Sequence, residues 1–140
     1  MRLKLHTDYA LRVLLYLSAS NRDDWVQGGD VAESFQISKG HVLKVIQRLA
    51  KLGYLRTKRG VGGGAQLAME PSEIRIGVLI HALEAEHVLA CVGPEQVSCL
   101  LHSRCLLRAA LGQAQKLFFA ALDEYTLEDV RADPSLLIMP

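Results

Sequence analysis

Long apolar runs, paired cysteines and catalytic signatures are missing from this sequence, and each gap excludes a class of protein. No stretch approaches the roughly eighteen apolar residues that a membrane-spanning helix requires. Arg2 and Lys4, followed by the apolar segment Leu11–Leu17, superficially resemble a secretory leader. Asp8 and Arg12 interrupt that pattern, and the unbroken run Val13–Leu17 is short for a leader core. A cytoplasmic protein with no membrane partner is the expectation. Three cysteines, an odd number packed into fifteen positions, make a poor disulfide framework in a reducing compartment. The five histidines are scattered and no nucleophile motif occurs. The glycine-rich stretch at 60–64 lacks the Gly-Lys-Ser/Thr ending of a phosphate-cradling loop and has no helix immediately behind it. The sequence therefore does not read as an enzyme.

Acidic residues are also missing where basic ones gather. The net charge of +1 conceals +6 over residues 1–66 and −5 over residues 67–140. No Asp or Glu lies between Glu33 and Glu70, whereas Lys39, Lys44, Arg48, Lys51, Arg56, Lys58 and Arg59 all do. A surface of that kind suits a polyanion. With 50% apolar and 22% charged residues, the 140-residue chain has the balance of a globular protein, long enough for one domain or for one domain plus a helix that needs a partner.

Residues 7–19 read as a helix that is apolar nearly all round after Arg12, with Thr7 as candidate N-cap. A short helix is expected near Asp30–Phe35. A second runs from an N-cap at Ser38 to about Leu52, carrying Val42, Val45, Ile46, Leu49 and Leu52 on one face, and Gly53 closes it. Two short helices, the second basic outside, describe a helix-turn-helix. Residues 54–58 and 65–69 then form strand candidates around the Arg59-Gly60-Val61-Gly62-Gly63-Gly64 turn, which is the wing of a winged helix. Ser38, Lys39, His41, Lys44 and Arg48 are expected at the major groove of double-stranded DNA. Arg59 and Gly60 are expected at a minor groove. Residues 74–83 read as another helix. Leu107, Leu111, Ala114, Phe118, Ala121 and Tyr125 repeat at heptad spacing, as in a helix that packs along a partner, so a homodimer is expected.

The expected fold is thus mainly α with one small β-hairpin. A winged helix-turn-helix domain spans residues 1–70, a cysteine loop and long dimerisation helix span 71–128, and the tail 129–140 has no assigned role. The loop holds the strongest chemical signal: Cys91, seven residues, Cys99, five residues, Cys105. Soft thiolates favour iron–sulfur clusters or zinc, and a direct thiol switch is the third reading. The paired CxxC spacing of many structural zinc sites is absent. His87 and His102 flank the loop as substitute ligands.

The chain resembles the bacterial winged-helix iron–sulfur regulator family over roughly residues 1–128. The likeness rests on Thr7-Asp8-Tyr9-Ala10-Leu11-Arg12, Ile37-Ser38 through the recognition helix, Gly53-Tyr54, Arg59-Gly60 with the glycine-rich wing, Ile74-Arg75-Ile76-Gly77, Leu83-Glu84 and the three-cysteine loop. It implies a homodimeric transcriptional repressor holding an iron–sulfur cluster, four-iron in the first instance with two-iron left open. Arg108 stands where the family's cluster-biogenesis regulators carry a histidine ligand, so the nitric-oxide-sensing repressors are the nearer likeness. By that likeness Cys91, Cys99 and Cys105 are ligands and Asp8 of the partner subunit is the fourth. The first helix would then share in both the dimer and the cluster site. Arg12 and Glu84 would connect cluster, first helix and DNA-binding domain, and nitric oxide would release the protein from DNA. The seven-residue gap between Cys91 and Cys99 is longer than the family's usual spacing. From the residues alone, Asp8 reads instead as a first-turn acid that favours the helix dipole and pairs with Arg12 one turn on.

Overall fold

A helix with apolar residues on nearly every side has to be surrounded by the rest of the chain. The computed structural model, which describes residues 3–84, 101 and 104–137, places α1 (Leu5–Ala19) at the centre, with Ala10, Val13 and Leu14 fully buried. Thr7 is not the N-cap. It lies buried inside the first turn, and Lys4 takes the cap position. A helix start needs partners for its free N–H groups. Here one comes from far along the chain, because the Lys4 amide donates to Glu84 Oε1 at 2.9 Å.

α2 (Gly28–Ser34) begins two residues earlier than expected and packs Gly28 against α3 (Lys39–Lys51), where a Cβ would lie 3.1 Å from Leu43 Cδ2. Val42, Val45, Ile46 and Leu49 of α3 face the core, as the periodicity requires. Gln36, between the two helices, has a left-handed backbone with φ of 53°. The Ser38 hydroxyl accepts the His41 amide at the start of α3. At the other end Tyr54 N donates to Leu49 O and Gly53 N to Ala50 O, both at 3.0 Å, around a Gly53 φ of 86°. That is the paired-bond stop in which glycine takes the left-handed position at no steric cost.

β1 (Leu55–Lys58) and β2 (Gly64–Leu67) pair antiparallel, with Leu55 opposite Leu67 and Lys58 opposite Gly64. Val26 adds a one-residue bridge to β2, exchanging backbone hydrogen bonds with Ala65 at 3.1 and 2.8 Å. The backbones approach so closely that a Cβ on Gly64 would sit 2.4 Å from Val26 O.

A 3₁₀ turn at Pro71–Glu73 leads into α4 (Ile76–Glu84), and α5 (Leu106–Leu122) packs back on it. Gly77 permits the contact: a Cβ there would lie 2.3 Å from Phe119 O and 2.4 Å from Asp123 Oδ1. Asp123 Oδ1 accepts the Val78 amide at 2.7 Å. Past α5 the chain re-enters the core. Ile76 N donates to Tyr125 O at 3.0 Å, Leu127 N to Ile74 O at 2.9 Å, and Leu127 is buried. The fold is thus mainly helical with one hairpin, a winged helix-turn-helix followed by a long C-terminal helix. Among the described residues, no helix is long and apolar enough to cross a membrane.

The heptad stripe on α5 is placed differently from its own-chain contacts. Phe119 and Leu122, neither of them in the stripe, pack against the core, and Phe119 meets the His81 ring edge-on at 4.9 Å. Leu107, Ala114, Ala121 and Tyr125 are exposed, and Tyr125 lies beyond the end of the helix.

Candidate nucleic-acid interface and cysteine site

The basic residues of the acid-free window converge on one structural unit, α3 and the wing. Lys39, Lys44, Lys51, Arg56, Lys58 and Arg59 are exposed and Arg48 is half-buried. Among the described residues none of the seven forms an ion pair, so their charge is available to an external anion. Arg56 Nη2 reaches Gln66 Oε1 at 3.4 Å, and Lys58 Nζ lies 5.8 Å from the Trp25 ring centroid.

Each expected contact residue has a distinct setting. Ser38 is the helix cap, its oxygen held by the His41 amide at 3.4 Å and placed 2.8 Å from His41 Nδ1. His41 is exposed, with its ring against Tyr9. Lys39 and Lys44 are exposed on the outer face of α3. Arg59 and Gly60 are exposed at the wing tip, where Gly60 and Gly62 have φ of 90° and 71°. A tight, side-chain-poor turn of this kind lets backbone approach a groove. The wing is braced from behind: Gln66 Nε2 donates to Asp23 O at 2.9 Å, and Arg22 pairs with Glu70 across the base of the hairpin.

Asp8 and Arg12 meet one turn apart on α1, Arg12 Nε donating to Asp8 Oδ2 at 2.8 Å and Nη2 to Oδ1 at 3.4 Å. With side chains 43% and 44% exposed, the pair contributes at most about 1 kcal/mol to stability. Its position matters more. Together with Leu3 and Leu5 it lines an open cavity of about 520 Å³. Arg12 also lies 5.7 Å over the Phe35 ring, and Phe35 meets Tyr16 edge-on, so the pair touches the helix-turn-helix directly. Glu84 is not brought to Arg12 by any of its described hydrogen bonds. It joins the end of α4 to the start of α1 through Lys4, whose amide meets Oε1 and whose Nζ meets the Glu84 carbonyl, both at 2.9 Å.

Cys105 caps α5, its Sγ accepting the Arg108 amide at 3.3 Å. The positive end of a helix favours negative charge, which a metal-bound thiolate carries. Cys91, Cys99, His87 and His102 lie outside the described residues. Among the described residues no three potential metal ligands cluster.

Three residues of this surface carried no functional expectation: Tyr9 beside His41, Trp25 beneath Lys58, and Lys4 clasping Glu84. The lone tryptophan in a polar stretch was the single local sign, since all three contacts join distant segments.

A tri-helical core with a braced, basic wing defines a winged-helix transcriptional regulator. The family model described as Rrf2, iron-dependent transcriptional regulator, matches residues 3–133. The HTH-type transcriptional regulator NsrR of Bacillus licheniformis is 40% identical over 131 residues, covering 93% of this chain and 92% of that one. The protein of the same name from Geobacillus kaustophilus is 40% identical over 138 residues, covering 98% and 94%. The solved structure of CymR, the global cysteine regulator of B. subtilis, shares the fold at a TM-score of 0.74 and 22% identity, covering 93% of this chain and 95% of that one. The chain belongs to the Rrf2 family of transcriptional regulators and is not an enzyme.

Proposed function

We propose that the protein is a homodimeric repressor that grips promoter DNA with α3 and the wing, and that an iron–sulfur cluster sensitive to nitric oxide sets its affinity. The observation that carries the DNA reading is the set of seven Lys and Arg side chains on that surface without an acidic partner among the described residues. Neutralising phosphates with such side chains releases counterions, so binding should weaken steeply with salt. Lys39, Lys44 and Arg48 supply phosphate and base-edge contacts, and Arg59 with Gly60 supplies the wing contact.

Cys91, Cys99 and Cys105, with Asp8 of the partner subunit, are the residues that would hold the cluster. The donor chemistry fits: three thiolates suit iron, and Cys105 stands at the positive end of α5. Asp8 Oδ1 is held only at 3.4 Å by Arg12, which leaves that oxygen able to coordinate, and the carboxylate opens onto a cavity. A bound cluster supplies thiolate-ligated iron that reacts with nitric oxide. Arg12 keeps the carboxylate oriented through Oδ2 while contacting Phe35 at the helix-turn-helix, so a change at Asp8 is felt next to α3. The exposed stripe Leu107, Ala114 and Ala121 on α5 supports dimerisation, since α5 uses other residues for its own chain.

The test is iron, acid-labile sulfide, zinc and visible absorption of anaerobically purified protein, wild type and Asp8→Ala side by side, followed by nitric oxide titration of the DNA complex. Iron and sulfide in the wild type, altered absorption in the variant and loss of DNA binding on nitrosylation are expected. Stoichiometric zinc, or no metal under strict anaerobiosis, would refute the cluster reading and leave a structural zinc site or a thiol switch.

A further inference from the structure

Tyr9 follows Asp8 on α1, and its ring meets that of His41 on the first turn of α3, with centroids 5.9 Å apart and planes inclined by 43°. His41 is also held through one nitrogen. Its Nδ1 lies 2.8 Å from Ser38 Oγ, which accepts the His41 amide at 3.4 Å. A serine hydroxyl has one proton and two lone pairs. One lone pair takes the amide, and Nδ1 is the acceptor within reach of the proton. With Nδ1 taking that proton, the ring's N–H stands on Nε2, whereas an Nδ1–H given to the second Ser38 lone pair would leave Nε2 without one. That nitrogen belongs to an exposed ring which, with Leu5, His6, Tyr9 and Lys44, lines an open cleft of about 190 Å³ between α1 and α3.

We propose that His41 is presented to DNA as a fixed hydrogen-bond donor, its tautomer set by Ser38 and its ring plane by Tyr9, and that it recognises an acceptor on the duplex, a purine N7 or a phosphate oxygen. This rests on the reading that α3 faces DNA. The chemistry is selective: an Nε2–H donor pairs with purine N7 or phosphate and is mismatched to the amino edge of cytosine. Tyr9 is a positioning residue. Because it adjoins Asp8, it carries the placement of α1 to the side chain at the start of the recognition helix.

The experiment uses the full-length, anaerobically purified protein and a duplex selected by it from a randomised pool. Each selected purine is replaced in turn by its 7-deaza analogue, and each phosphate by a methylphosphonate. One analogue is expected to weaken wild-type binding about tenfold, the effect of one hydrogen bond of about 1.4 kcal/mol, and to leave His41→Ala unaffected. A 7-deaza position identifies a base contact and a methylphosphonate position a phosphate contact. His41→Gln, which keeps an amide donor near Nε2, should recover part of the loss. Tyr9→Leu should blunt the response to that same analogue, while Tyr9→Phe preserves it. Ring nitrogen chemical shifts at pH 8 should show one Nε2–H tautomer in the wild type and a mixture in Ser38→Ala. An Nδ1–H tautomer overturns the proposal. So does His41→Ala binding within twofold of wild type on every duplex while Lys44→Ala weakens. If His41→Ala, Lys44→Ala and Arg59→Ala all bind like wild type, the placement of α3 against DNA is what fails, and this inference falls with it.

Discussion

Replacing Gly77 with alanine should loosen α5 from the winged-helix body. The added Cβ would lie 2.3 Å from Phe119 O and 2.4 Å from Asp123 Oδ1, at least 1 Å inside ordinary contact, and the first of these atoms is backbone. Relief therefore requires α4 and α5 to part. Overpacking of this kind costs about 1–3 kcal/mol. Parting also stretches the 2.7 Å bond from the Val78 amide to Asp123, a charge-assisted bond worth about 1.5–3 kcal/mol. Alanine regains up to about 1 kcal/mol of helix propensity, less at a helix end. The net expectation is a loss of about 3 kcal/mol, or roughly 10 °C in Tm for a chain of this size. Thermal and urea unfolding of chelator-treated protein measures it. Asp123→Asn should cost less, about 1 kcal/mol, because the amide oxygen still accepts. The two changes together should fall short of their sum, since both act on one contact. A Gly77→Ala protein melting within 2 °C of wild type would refute the claim that this glycine sets the helix spacing.

Three further outcomes are expected. Gln36→Gly should raise stability by about 1 kcal/mol in urea unfolding, because a non-glycine residue at φ of 53° is strained; unchanged or lower stability contradicts that. Arg59→Ala should weaken binding to the selected duplex and reduce the slope of log affinity against log salt by about one, with every sequence weakened alike if the contact is to phosphate; an unchanged slope would remove Arg59 from the backbone contacts. The Asp129 carboxyl is held below its usual value by hydrogen bonds from the Thr126 hydroxyl and amide. Its stabilising contribution is therefore present above the unfolded value of 3.8 and lost as pH falls through the lower folded value. Asp129→Asn should make acid unfolding slightly less steep below pH 4, and an identical acid profile would show that the Thr126 turn melts with no coupling to the fold.

The recognition helix and wing were legible because their signals are local. The spacing of Val42, Val45, Ile46 and Leu49, the Ser38 cap, the Gly53 stop and the glycine turn each act within a few residues. The start of α1 was not legible, because the Lys4 amide finds its acceptor at Glu84, eighty residues away. Nor was the extra bridge to β2, since one residue, Val26, pairs with Ala65 and a single pair has no periodicity. Heptad counting found an apolar stripe on α5 but could not say that Phe119 and Leu122 dock on the chain's own core. That choice depends on the gap at Gly77. In the candidate site the Asp8–Arg12 pair follows from helical spacing. Tyr9 against His41 joins two helices and leaves no trace in either one's pattern.

Among the described residues, the contacts of α5 with α4 gather at its far end. Its last turn is pinned by Gly77, Asp123 and the returning strand of chain at Leu127, while its first turn carries Cys105. The seventeen residues of α5 span about 25 Å, so a rotation with that far end as fulcrum moves Cys105 the most. A tilt of about 5° there sweeps the sulfur through about 2 Å. Read in the other direction, a rearrangement of that size at the cysteine reaches the fulcrum as a small rotation beside α4, whose far end holds Lys4 and the start of α1.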